Sequence, residues 1–113
     1  MLSVILITKN EAANIRDCLA SVAFADEIVL VDSGSTDDTV AIARALGAQV
    51  FEFADWPGFG AQKNRALHFA SHDWVFSIDA DERVTPALQA ELLAAMHGEF
   101  DGYFVPRLSQ FCG

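Results

Sequence analysis

The feature that most constrains this chain is a regular exchange between two hydrophobic periods. Short runs dense in β-branched residues alternate with longer stretches whose apolar positions recur at helical spacing. Ser3–Thr8 (SVILIT) is a continuous apolar run of strand length, and Glu11–Val22 follows with Ala12, Ile15, Leu19 and Val22 on one 3.6-period face. Glu27–Ser33 (EIVLVDS) reads as the second strand. Ser35, with Asp38 three positions on, has the form of a capping box and predicts a helix through Leu46, closed by Gly47 at the C′ position. Gln49–Phe53 is a third strand, Asp55–Gly60 a loop with Pro57 and two glycines, Ala61–Ala70 a third helix and Trp74–Ile78 a fourth strand. Thr85 and Pro86 supply an N-cap and a first-turn proline for a helix running to about His97, where Gly98 ends it. Tyr103–Pro106 is a final short strand.

This alternation predicts an α/β fold: a mostly parallel, twisted sheet with helices on both faces. Strands buried on both faces should be near-continuous apolar runs, as Val4–Ile7 and Ile28–Val31 are. No repeat, low-complexity segment or linker interrupts the pattern, and 113 residues suit one domain. A hydrophobic fraction of 52% is too high for a disordered chain. Sixteen acidic residues against seven basic ones, a net charge of −9, oppose binding to nucleic acid or, through charge, to an anionic membrane. No apolar run approaches the ~18 residues of a transmembrane helix. Met1–Lys9 lacks a basic leading region, so it reads as a strand and not a signal peptide. Cys18 and Cys112 stand far apart without a CxxC or Cys/His cluster, which excludes a structural zinc site and points to a reducing cytoplasm. His68, His72 and His97 show no ligand spacing.

In an open parallel sheet, ligands bind at the carboxyl ends of the strands. Three polar sets fall there: Thr8-Lys9-Asn10-Glu11, Asp32-Ser33-Gly34-Ser35 and Asp79-Ala80-Asp81-Glu82. Asp79 and Asp81, at i and i+2 after an apolar run, present hard oxygen donors suited to Mg²⁺ or Mn²⁺ beside a substrate phosphate. An acidic loop capping the next helix fits the same residues. Asp32 suits hydrogen bonds from a nucleobase or ribose, or an Asx turn into Gly34. Thr8 and Glu11 suit either a ligand or the first helix's cap, whereas capping alone accounts for Ser35–Asp38. Lys63, in GFGAQKNR, combines a cation with a glycine-preceded helix start, an arrangement that favours anions, although a solvated lysine fits equally. The glycines match neither a P-loop nor a GxGxxG fingerprint.

Together, SVILITKNE, EIVLVDSGSTDDT, GFGAQKNRAL and WVFSIDADERV, in that order, closely resemble an inverting family 2 glycosyltransferase of the GT-A fold. The TKNEA, VDSGSTDDT and SIDADE segments are similar to those of bacterial lipopolysaccharide-core glucosyltransferases, and the resemblance runs from about Ser3 to Arg107. It departs at Lys9, where many members have Tyr, and at Ile7, where many have Pro. The resemblance implies a nucleotide-sugar donor, of the UDP-glucose kind, and a cell-envelope saccharide or glycolipid acceptor such as the lipopolysaccharide core. Thr8, Glu11, Asp32, Lys63, Asp79 and Ala80 would then bind the donor, and Asp79 and Asp81 would hold a divalent cation, Mg²⁺ or Mn²⁺. A metal also reconciles the acidic chain with an anionic diphosphate. The general base of the family lies beyond the DxD, so none of Glu82, Glu91, Glu99 and Asp101 is assigned to that role. Residues 1–113 are expected to be the donor-binding part of a longer domain, with the base beyond Gly113. The expected setting is the cytoplasm, at the inner face of the cytoplasmic membrane through the remaining half, with self-association open. Two other classes fit less of the pattern. A haloacid-dehalogenase-type phosphohydrolase also places DxD after a strand, but after its first. A non-catalytic nucleotide-binding module would keep the fold without turnover.

Overall fold

The computed structural model describes residues 1–96, so the expected strand Tyr103–Pro106 and the stop at His97–Gly98 lie outside the described residues. Strands β1 (Leu2–Thr8), β2 (Glu27–Asp32), β3 (Gln49–Glu52) and β4 (Trp74–Ser77) alternate with helices α1 (Ala12–Ser21), α2 (Thr39–Ala45), α3 (Phe59–Phe69) and α4 (Pro86–Met96). The four-stranded sheet has the order β3-β2-β1-β4, and every neighbouring pair is parallel.

The pleat sends alternate residues of each strand to opposite faces. On one face Leu2, Val4 and Leu6 of β1, Leu30 of β2 and Phe76 of β4 pack beneath Ile15, Cys18 and Leu19 of α1, Ala43 of α2 and Leu88 and Leu92 of α4. On the other face Ile5, Val29, Val31 and Val75 meet Ala66 of α3, with Phe51, Phe53 and Phe69 at the margin. Phe51 and Phe69 stack with ring centroids 3.8 Å apart. Helices cover both faces, as the apolar runs predicted. Each such buried aliphatic side chain contributes about 1.5–3 kcal/mol relative to exposure.

The amino edge of the sheet is tied by one carboxylate. Glu27 accepts hydrogen bonds from the Ser3 hydroxyl (2.8 Å), the Ser71 N–H (2.8 Å) and hydroxyl (3.0 Å), and the Gln49 amide (3.1 Å). Burial pushes the Glu27 carboxyl up, but these donors together outweigh it and hold the group below its ordinary value.

The ends of α2 and α3 divide the sequence signals. Gly47, at φ +92°, closes α2 as expected: its N–H donates to Arg44 O (3.1 Å) and that of Ala48 to Ala43 O (3.1 Å), the paired bonds of a Schellman motif. At the other end, α2 begins at Thr39 with Asp38 at the N-cap position in place of Ser35, and Asp38 makes no side-chain cap. The Ser35 hydroxyl is instead bonded to Asp32, which removes the proposed capping box. Helix α3 starts at Phe59, two residues before the expected Ala61, because the break falls at Gly58, at φ +116°.

Chain direction then locates the edge to examine for a ligand site. From β1 the sheet extends through β2 to β3 on one side and to β4 on the other. The carboxyl edge of the sheet, where β1 lies between β2 and β4, is where ligands lodge in such sheets.

Candidate functional site

At that edge the register sets Thr8 opposite Asp32. Both are buried, and the Thr8 hydroxyl donates to Asp32 Oδ1 at 2.9 Å. The same Oδ1 accepts the Ser35 hydroxyl at 2.5 Å, while Oδ2 accepts the N–H groups of Gly34 (3.0 Å) and Ser35 (2.7 Å). The Asx turn expected of Asp32 is therefore formed, and Gly34 at φ +100° supplies the left-handed residue that it needs. A ligand reaching Asp32 would have to share oxygens that already accept four protein donors.

Glu11 is half-buried at the head of α1 and makes no side-chain capping bond; its Oε2 accepts from Asn14 Nδ2 at 3.2 Å. Across β1, the Ile78 N–H donates to Ile5 O (3.2 Å), carrying the DxD segment past the end of β4 and alongside β1. There Asp79 through Glu82 form a doubly closed turn. The Glu82 N–H donates to Asp79 O (2.9 Å) and the Asp79 N–H to Glu82 Oε1 (3.0 Å). Asp79 and Asp81 are exposed, whereas the Ala80 side chain is in the core. Ala80 thus offers a ligand only its backbone, and its carbonyl accepts Arg83 Nη1 at 3.0 Å. The turn is anchored from α1, where the Cys18 thiol lies 3.6 Å from Asp79 O and the Ser21 hydroxyl accepts the Val84 N–H at 3.0 Å.

The field at this turn is negative. The Glu82 carboxyl is raised above its ordinary value, first by burial and further by the charges of Asp79 and Asp81, against the lowering influence of its Asp79 hydrogen bond and of Lys63. Lys63 thereby belongs to the same electrostatic neighbourhood as the DxD. It stands one turn inside α3, past the free N–H groups of the helix start, and reaches back with Nζ 4.7 Å from the Phe59 ring centroid.

Gln62 and Arg65 carry structure that the sequence reading passed over. Gln62 is fully buried on α3 and donates from Nε2 to the Ser33 hydroxyl (2.9 Å), fixing α3 to the end of β2. Its Oε1 accepts Arg65 Nη1 at 2.7 Å. Arg65 pairs through both terminal nitrogens with Asp55 (3.1 and 2.8 Å) and lies 4.5 Å from the Phe53 ring centroid. Helical period was the available signal: Gln62 and Ala66, four apart, share the buried face of α3.

The two carboxylates fit a divalent cation in one sense only. They offer hard oxygens in a negative field, yet no group of three His, Cys, Asp or Glu side chains that could hold a metal occurs among the described residues. Such a pair suits a cation completed by phosphate oxygens of a ligand, not a cage built by protein alone.

Known proteins are similar to this chain. The sequence description of glycosyl transferase family 2 matches residues 3–113. An uncharacterized glycosyltransferase of Rickettsia felis is 48% identical over 80% of the chain and 32% of its own length. The lipopolysaccharide core biosynthesis glycosyltransferase LpsC of Rhizobium meliloti is 41% identical over 99% of the chain and 44% of its own length. Among solved structures, glucosyl-3-phosphoglycerate synthase of Mycobacterium tuberculosis, in complex with Mn²⁺, UDP and glucosyl-3-phosphoglycerate, superposes with a TM-score of 0.71 at 32% identity, covering 88% of the chain and 40% of that protein. The chain thus spans less than half the length of these relatives.

Proposed function

Because the chain belongs to glycosyl transferase family 2, we propose that residues 1–113 are the nucleotide-sugar-binding part of an inverting enzyme with a GT-A fold. The donor is a UDP-sugar such as UDP-glucose, and the acceptor a cell-envelope saccharide such as the lipopolysaccharide core. One observation carries the reading: the bonded Thr8–Asp32 pair and the Asp79–Asp81 turn flank the end of β1 at the carboxyl edge of the sheet. A nucleotide bridging them would place its nucleoside against Thr8, Glu11 and Asp32 and its diphosphate at the DxD. UDP with Mn²⁺ in the mycobacterial synthase, and a lipopolysaccharide-core role for the rhizobial relative, support the two halves of this reading.

In this mechanism Thr8 and Asp32 hold the floor of the nucleoside pocket, and Glu11 closes its side. The Asp79–Glu82 turn keeps two carboxylates facing solvent, where they would hold Mg²⁺ or Mn²⁺. When bound, that cation offsets the charge growing on the departing diphosphate. Lys63 adds a positive charge on the same side. The proton of the attacking hydroxyl would pass to a carboxylate general base, a role assigned to none of the described carboxylates. Among the described residues no helix is long and apolar enough to cross a membrane. The proposed setting is the cytoplasm, with the acceptor half facing the membrane.

Isothermal calorimetry with UDP tests the reading. Mn²⁺ should tighten UDP binding at least about tenfold over a chelated control, about 1.4 kcal/mol, and Asp81→Ala should abolish that gain. Equal affinity in all three conditions would overturn it.

A further inference from the structure

Helix α1 is capped by its neighbour. The N–H groups of Asn10, Glu11 and Ala12 donate to Ser35 Oγ (2.8 Å), Thr39 Oγ1 (2.9 Å) and Asp37 Oδ2 (3.2 Å), from the β2–α2 connection and the first residue of α2. Bonds also run the other way, from the Thr36 N–H (2.8 Å) and hydroxyl (3.3 Å) to Asn10 Oδ1. Asp37 Oδ1 accepts the Thr39 N–H at 3.0 Å and the Thr39 hydroxyl as well. Asn10 itself is held at φ +55°, the left-handed region that asparagine tolerates better than most residues. The Ser35 hydroxyl joins this network to the pocket floor, because it accepts the Asn10 N–H while donating to the Asp32 oxygen that also accepts Thr8.

Capping from a second loop has a consequence for position 11. A helix usually satisfies its first N–H groups with a Ser, Thr, Asp or Asn of its own at the N-cap. Here that position is Glu11, which makes no capping bond. With the cap supplied by Ser35, Asp37 and Thr39, position 11 is released from capping and the path of residues 9–12 is fixed by a different crossover. We infer that Ser35, Asp37 and Thr39 are positioning residues of the nucleotide pocket: they shape the β1–α1 loop so that Thr8 and Glu11 meet the nucleoside part of the donor. The inference rests on the nucleotide-sugar reading and deepens it. The SGSTDDT segment then serves binding without touching the ligand, through the backbone of the loop beside it.

With Mg²⁺ present, three variants of the chain and an Asp81→Ala control test this by NMR, which reads amide exchange and ligand titration on one sample. Thr39→Val keeps the buried, branched shape and removes the hydroxyl; Thr39→Ser keeps the hydroxyl; Asp37→Ala alters an exposed residue and so does not depend on core packing. In Thr39→Val and Asp37→Ala, exchange at Glu11 and Ala12 should rise about tenfold or more. Uridine and UDP should weaken by a common factor of about ten, the scale of one lost hydrogen-bonded support. Thr39→Ser should restore both, and Asp81→Ala should weaken UDP in the presence of Mg²⁺ while leaving uridine unaltered. Faster exchange at Glu11 with normal uridine affinity would overturn the positioning role, as would exchange rising equally throughout β1 and α3. Failure of the unaltered chain to bind uridine or UDP would instead overturn the nucleotide reading, and the positioning role with it.

Discussion

Asp32 shows what a buried carboxylate does at this site before any ligand arrives. Its two oxygens accept from Thr8, Gly34 and twice from Ser35, and the residue is fully buried. Asparagine has one carbonyl oxygen, and its amide would face the donors at Gly34 and Ser35 with further hydrogens. Asp32→Asn should therefore cost about 3 kcal/mol, the scale of a charged hydrogen bond lost together with a buried donor left unmet. Urea unfolding checks this, with a lower midpoint and an unchanged slope as the expected result. The position of Asp32 after a buried strand was legible in the sequence. Its partners were not, because an aspartate at a strand end suits an Asx turn and a ligand equally, and only the path of residues 33–35 decides. The same limit applies to Ala80, whose burial follows from the turn and not from its identity.

At the scale of elements, carboxylates that join loops make stability depend on pH. The Asp37 carboxyl is held below its ordinary value chiefly by the Thr39 hydroxyl, and that of Asp55 chiefly by its hydrogen bonds from Arg65. Glu27 is lowered too, its four donors outweighing burial. For each, the folded value lies below the unfolded one. The contribution is thus fully present above the unfolded value of about 4 and is lost as pH falls through the folded value. Melting temperature should fall below about pH 4. Asp37→Asn should flatten that fall, as scanning calorimetry between pH 7 and 3 would register. Helix ends were legible where one residue dictates the conformation, as at Gly47. They were misread where a side chain had two possible bonds. Ser35 has the chemistry of an N-cap, but its hydroxyl is bonded across to Asp32 and Asn10, so α2 starts three residues later, after Asp38. No spacing within one helix reveals a cap that serves another.

For the molecule as a whole, periodicity revealed parallel strands with helices on both faces, because burial on two sides writes itself as unbroken apolar runs. Strand order left no such mark. That β1 lies between β2 and β4 depends on which edge each crossover reaches, a choice made by packing across the sheet. The ordered motifs supplied the rest, since Thr8, Asp32 and the DxD turn are far apart in sequence and converge only through that order.

The central place of β1 also has a consequence for the birth of the chain. Of these four strands β1 is made before the others, and it pairs on one side with β2 and on the other with β4, whose Trp74 stands opposite Leu2, about seventy residues later. At roughly 5–20 residues per second, that flank of Leu2, Ser3, Val4 and Ile5 waits several seconds for its partner. Until then it is an apolar strand edge open to pairing with another chain. Refolding from urea should accordingly lose yield as protein concentration rises, with light scattering reporting the loss, and slow dilution should restore it. Synthesis from the amino end makes the keystone first and leaves it half bare.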